Sequence, residues 1–220
     1  MEEEIDHLRG GQFGTIRISL SPLAAVKIVP EALVLFRHRF PEVEVHLSSG
    51  LYPGTLKTLE EGLIDMHIGP TPPEHLCRNL DSEFLPESPI NLITSAESPA
   101  ANATSLAQLV DCRWIMIGGR EGPGDIFDEP FLAHGLTPPR VTTTSESYFG
   151  AMSLVEKLGA VCTFPTKLFA EVESAWNVSK INIKEQIDPL KISLLTRSGQ
   201  PLTPAASALA NCVRVQVNSM

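Results

Sequence analysis

The sequence predicts an α/β protein made of two similar lobes, and three observations carry that reading. Residues 15–69 parse as strand, helix, strand, helix, strand. The same alternation returns over residues 90–185. A last strand and helix are left over at the end of the chain, and they are expected to return to the first lobe. Alternation of this kind builds parallel sheets covered by helices, because a parallel pair needs a crossover between its strands.

The first lobe can be read almost residue by residue. Thr15-Ile-Arg-Ile-Ser-Leu reads as a strand, and Ser21-Pro22 opens the helix that follows. Leu33, Phe36 and Phe40 fall three and four apart on one stripe of that helix. Pro41 stops it, since proline has no backbone N–H to give. Val43, Val45 and Leu47 alternate with Glu44, His46 and Ser48, the period of a strand buried on one face. Gly50 turns the chain, Leu56, Leu59 and Leu63 line a second helix, and Gly62 suits its left-handed end. Ile64, Met66 and Ile68 make the third strand, ending at Gly69-Pro70. Prolines 72, 73, 86 and 89 predict an irregular connection over 71–89.

In the second lobe Asn91-Leu-Ile-Thr is a short buried strand, and Thr104 is expected to cap a small helix through Leu109. Trp114-Ile-Met-Ile is a strand that runs into Gly118-Gly-Arg-Glu-Gly-Pro-Gly124. Asp125 is placed to cap a helix reaching His134, closed by Gly135. Arg140–Thr144 is β-branched and strand-like. Ala151, Leu154, Val155 and Leu158 mark an amphipathic helix ended by Gly159. Val161-Cys-Thr is a strand, and Pro165 fits the first turn of the helix after it. Ile181 and Ile183 alternate, Lys191–Thr196 reads as a further strand, and Pro204 begins a helix with Leu209 and Val213 on one face.

Bulk properties exclude several classes. The 220 residues carry a formal net charge of −9, which opposes gripping nucleic acid, because phosphate contacts require a basic face. No apolar run is long enough for a membrane span. Met1-Glu-Glu-Glu-Ile-Asp-His-Leu-Arg reads as the acidic tail of a helix ended by Gly10-Gly11, without the basic start of an export signal. Cys77, Cys112, Cys162 and Cys212 lie far apart with no C-x-x-C spacing, which suits buried free thiols in a reducing compartment.

No Gly-x-Ser-x-Gly, His-Glu-x-x-His or Walker spacing occurs, so neither an enzyme nor a cofactor is expected. The six histidines do not fall at metal-ligand spacings. Asp65 reads as a structural residue at a strand start. Small or hydroxyl residues instead gather where strands run into helices: Ser19–Leu23, Gly69–Thr71, Gly118–Asp125, Ser145–Tyr148 and Thr163–Pro165. Free amides at helix N-termini suit a carboxylate, sulfonate or phosphate. Ser21, Ser147 and Thr163 could equally cap their own helices. Gly119 and Gly122, with Pro123, would let a ligand approach the backbone, and Arg120 could attract an anion.

Taken in order, Ile16-Arg17-Ile18-Ser19, Pro30, Leu33 to Phe36 to Pro41, Val43 to Gly50, and Gly62-Leu63-Ile64-Asp65 resemble the effector-binding domain of LysR-type transcriptional regulators. His134-Gly135-Leu136-x-Pro138 and Leu154-Val155-x-x-Leu158-Gly159-x-x-Cys162-x-x-Pro165 extend the resemblance over nearly the whole chain. It implies two Rossmann-like subdomains joined by two crossover segments, a layout like that of type 2 periplasmic binding proteins. The boundaries expected are 1–13 for the end of a linker helix, 14–87 with 195–220 for subdomain I, and 88–194 for subdomain II.

The resemblance further implies a small, anionic effector, which could be aromatic, held in a cleft between the subdomains, with no cofactor and no metal. The expected contacts are Ser21, Pro22, Leu23, Tyr52, Pro70, Thr71, Gly119, Gly122, Pro123, Ser147, Tyr148 and Phe164. Many family members carry Ser or Thr where Leu23 stands, so either Ser21 supplies the hydroxyl or the pocket favours a partly apolar effector. The three aromatics could also belong to the cores. A cytoplasmic homo-oligomer is implied, a dimer of this domain and a tetramer of the full-length protein. Val43–Ser48 and the helix before it are expected on the dimer face. Promoter DNA would be met only through an upstream helix-turn-helix, and no membrane is involved. The competing reading is a transporter's solute-binding protein, which uses a similar fold.

Overall fold

The computed structural model describes residues 14–119, 121–124 and 128–219. The chain divides into two units, one running to Pro86 and resuming at Lys191, the other spanning Glu87–Leu190. Two crossings therefore link them, and the terminal strand and helix do return to the first unit.

In the first unit β1 (Thr15–Leu20), β2 (Glu44–Ser49) and β3 (Met66–Pro70) lie in the order β2-β1-β3, all parallel. β10 (Leu190–Arg197) joins β3 antiparallel, and β4 (Leu80–Ser88) forms the far edge. On one face Ile16, Ile18, Leu20, Met66, Ile68 and Leu194 are buried. The opposite face meets α2 (Gly54–Glu60), where Tyr52, Leu56, Leu59, Ile64 and Leu80 cluster with Leu195. The helix after β1 opens with a π turn at Ala24–Ile28, in which the Val29 N–H reaches back to Ala24 O, before α1 (Val29–Arg37). Pro30 has no N–H to offer the carbonyl of Val26, which gives the wider turn a local cause. α6 (Pro204–Asn218) packs on α1 through Leu209 and Val213, both fully buried.

Three expectations need correction here. Residues 80–88 form a nine-residue strand rather than irregular chain. It sits at the sheet edge, where Pro86 forfeits no obligatory ladder bond, and its sequence lacks a period of two. Leu63 lies beyond α2 and is 59 % exposed, because the helix ends at Glu60 and Gly62 turns with φ +75°. Residues 191–194, assigned from sequence to subdomain II, belong with the rest of β10 to the first sheet.

The second unit repeats the plan. β6 (Trp114–Ile117), β7 (Val141–Ser145) and β8 (Val161–Pro165) are parallel in the order β7-β6-β8. β5 (Ile90–Ser95) continues the sheet antiparallel to β8, and β9 (Val178–Ile181) flanks β5. One face buries Leu92, Leu106, Leu109, Trp114, Val161 and Ile181 with Phe131 of α3 (Asp128–Ala133), Trp114 and Phe131 meeting edge to face at 5.6 Å. The other packs on α4 (Tyr148–Leu158) through Ala151, Met152 and Val155, and α5 (Thr166–Val172) follows β8.

Gly159 closes α4 at φ +60°, as its position implies. Thr104 caps nothing: its N–H donates to Gln108 Oε1 at 2.7 Å, and Ser105 holds the N-cap position of a short 3₁₀ turn. The expected linker helix, the Asp125 cap and Arg120 fall outside the described residues. All four cysteines are free thiols, but only Cys162 is buried, its thiol pushed up to about 12 by desolvation.

Candidate functional site

Parallel strands deliver their C-terminal ends to one edge of each unit. In the first unit that edge carries hydroxyls, most of which already have partners. Thr55 Oγ1 donates to Ser19 Oγ at 2.8 Å, and both side chains are buried. Gly50 leaves room for this pair, since a Cβ there would collide with Ser19 Oγ. The Ser21 N–H donates to Ile68 O, locking β1 to β3, while Ser21 Oγ accepts from the Ala24 N–H at 3.3 Å. Ser21 is therefore a cap on its own helix as well as a site candidate. Thr71 Oγ1 and buried Ser193 Oγ lie 2.5 Å apart.

Pro22 is half-buried beside Ser21, Leu23 is 5 % exposed, and Pro70 is buried at the end of β3. Tyr52 is 5 % exposed and belongs to the apolar cluster under α2.

The second unit brings a different set to the corresponding edge. The Ser147 Oγ accepts from the Gly150 N–H at 3.1 Å and so caps α4, and Ser145 Oγ donates to Ser147 O. Tyr148 and Phe164 are buried and meet edge to face at 5.2 Å, with Phe169 behind them. Gly118 continues β6 at φ +85°, its N–H donating to Ser145 O. The turn that follows closes through the Gly122 N–H on Gly119 O at 3.0 Å. Gly122 and Pro123 are buried, whereas a side chain at Gly119 would meet open space. Thr163 is buried but makes no cap, because Pro165 occupies the N-cap position of α5.

Within each unit the expected residues stand at strand or helix ends: Ser21 to Leu23 follow β1 and Pro70 and Thr71 close β3 in one, while Gly119, Gly122 and Pro123 follow β6, Ser147 and Tyr148 open α4 and Phe164 lies near the end of β8 in the other. Tyr52 stands apart in its core cluster. Asp65 is structural, its carboxylate accepting the Arg17 N–H at 2.7 Å while its own N–H donates to Arg17 O.

The structure adds residues that the sequence reading passed over. His67 lies on β3 between Met66 and Ile68, opposite Ser19 on β1 and Leu195 on β10. Its ring is wholly buried, and apart from an approach to the Ser19 backbone neither nitrogen reaches a hydrogen-bond partner. Burial lowers its pKa to about 4, against a weaker upward pull from the Ser19 backbone. Asn91, opposite Phe164 on β5, likewise has an unpartnered buried Nδ2. A polar residue interrupting an apolar strand was the available signal in both cases. Among the described residues no group of three or more His, Cys, Asp or Glu side chains could hold a metal, and no helix is long and apolar enough to cross a membrane.

Each unit thus carries a five-stranded sheet whose parallel strands end beside helix N-termini and hydroxyls. The LysR substrate binding domain model matches residues 9–217, and the chain belongs to that family. The HTH-type transcriptional regulator GalR of Pseudomonas putida is 21 % identical over 215 residues, which is 97 % of this chain and 54 % of GalR. The chain thus spans about half the length of that relative.

Among solved structures, the regulatory domain of Synechocystis CcmR in complex with 2-PG superposes with a TM-score of 0.80 at 17 % identity, covering 94 % of this chain and 99 % of the other. The effector-binding domain of QuiR in complex with shikimate gives 0.79 at 18 % identity, covering 94 % and 98 %. At these identities the structures establish the fold.

Proposed function

We propose that this domain senses a small anionic metabolite, bound reversibly and not transformed, on behalf of a bacterial transcription regulator. The observation that carries the reading is the repeated strand-end arrangement, with helix N-termini, hydroxyls and close-packed glycines at the same edge of both sheets. Amide dipoles at helix N-termini favour an anion without needing a cationic side chain. The likeness to domains solved with shikimate and 2-PG supports a small oxygen-rich acid as the ligand class. Regulation rather than transport is supported by relatives named as HTH-type regulators.

A thermal-shift screen of small aromatic and aliphatic carboxylates and phosphates tests this directly, because a specific ligand raises the melting temperature by mass action. At least one acid is expected to give a saturable rise, while its uncharged amide or ester does not. Equal shifts from acid and amide would remove the anionic part of the reading.

Oligomerisation is part of the same proposal. β2 is an edge strand with Leu47 half-exposed, and Val34 and Leu35 of α1 are exposed beside it in sequence order. Three large apolar side chains on an edge strand and its adjoining helix suit contact with a second copy of the domain.

A further inference from the structure

His67 stands apart from every other polar side chain at the first unit's strand edge. Ser19, Thr55, Ser21, Thr71 and Ser193 all have partners, whereas the His67 ring has no more than its approach to the Ser19 backbone. A buried polar group without a hydrogen bond is destabilising by roughly 1–3 kcal/mol, so a residue kept in that state calls for a reason. The direction of the ring supplies one. A Cβ built on Gly69 would come within 2.6 Å of His67 Nε2 and 3.1 Å of Ser21 Cβ. The imidazole therefore runs along the strand towards its C-terminal end, and Nε2 and the Ser21 side chain flank the same spot. That spot adjoins the first turn of the π-opened helix, where the Leu23 and Ala24 amides begin.

We propose that His67 is a specificity-determining residue at the first unit's strand C-terminal edge, offering Nε2 to an oxygen of the ligand directly or through one buried water. This rests on the effector-binding reading above. A neutral imidazole can donate or accept, whichever its tautomer supplies, so it discriminates by position more than by charge. The ligand class it fits is a carboxylate or phosphate with a further hydroxyl or ester oxygen. The charged group lies on the helix amides and the second oxygen on His67. Gly69 is the enabling residue, because any side chain there would occupy the space that the ring uses.

The test uses the whole 220-residue chain with shikimate, benzoate and inorganic phosphate as probes, in wild type, His67→Leu and His67→Gln. Leu removes the polar atoms at similar volume and should fold, since it removes an unsatisfied group. Shikimate carries hydroxyls beside its carboxylate and benzoate does not.

Shikimate affinity is expected to fall at least about tenfold in His67→Leu and to recover partly in His67→Gln, while benzoate affinity changes less. The His67 ring, followed by NMR, should titrate at higher pH with shikimate bound than without. Equal affinities for shikimate in wild type and His67→Leu, with an unmoved ring titration, overturn this proposal and leave the effector-binding reading intact. Failure of all three probes to bind wild type overturns the ligand class assigned to His67 and leaves the effector-binding reading to the wider acid screen.

Discussion

An imidazole sealed inside a sheet makes stability depend on pH in one direction. The folded state holds His67 near 4, whereas the unfolded chain lets it titrate near 6.5. Between those values the unfolded state binds more protons, so stability is complete above about pH 6.5 and falls as pH drops towards 4. The shift corresponds to a loss of about 3 kcal/mol. Urea denaturation at pH 7 and pH 4.5 should show that slope in wild type and a shallower one in His67→Leu; identical slopes would place the burial of His67 in doubt. A second residue-scale expectation concerns Gly69. Gly69→Ala drives its methyl into His67 Nε2 and should destabilise by about 1–3 kcal/mol. Combining it with His67→Ala should recover much of that loss, a coupling that a double-mutant cycle measures.

At the scale of elements, two arginines tie the returning strand and helix to the first unit, and they should differ in weight. Arg197 of β10 donates from one nitrogen to Leu59 O at 3.1 Å and Ile64 O at 2.8 Å, bridging the last turn of α2 and the chain just beyond it. Arg197→Met should destabilise by about 2 kcal/mol, since charged donors to part-buried carbonyls are the stronger kind. Arg214 of α6 pairs with Glu83 of β4 at 2.6 Å and holds that carboxyl below its usual range, yet both side chains are more than a third exposed. Arg214→Met should therefore change stability by less than about 1 kcal/mol. Chemical denaturation of the two variants side by side ranks them, and the reverse order would contradict this account.

Elements with a clean period were legible in the sequence: β1, β2, α4 and α6 fall where their apolar spacing and terminal Gly or Pro residues put them. β4 was not, because an edge strand with Pro86 neither alternates nor needs every ladder bond. Of the candidate site, Ser21 and Ser147 could be read from sequence as helix-opening hydroxyls. His67 showed only as a polar residue interrupting an apolar strand, and the neighbours of His67 and Ser193 could not be read, since their place comes from strand register across more than a hundred residues.

For the whole molecule, the central expectation is association and ligand binding by a regulator domain. If β2 and α1 meet a second copy, Leu47→Lys puts a charge on the exposed edge and should shift sedimentation at high concentration towards monomer, with the melting temperature nearly unchanged. A wild-type domain that sediments as a clean monomer at high concentration contradicts the dimer reading outright. The ligand reading has a sharper test in isothermal titration of the intact chain with the best acid from the thermal-shift screen, followed by recovery of that acid. The account predicts saturable binding of one acid per chain, weakened in His67→Leu, with the ligand recovered chemically unchanged. Heats that never saturate with any acid, or a ligand returned as a different compound, would contradict it.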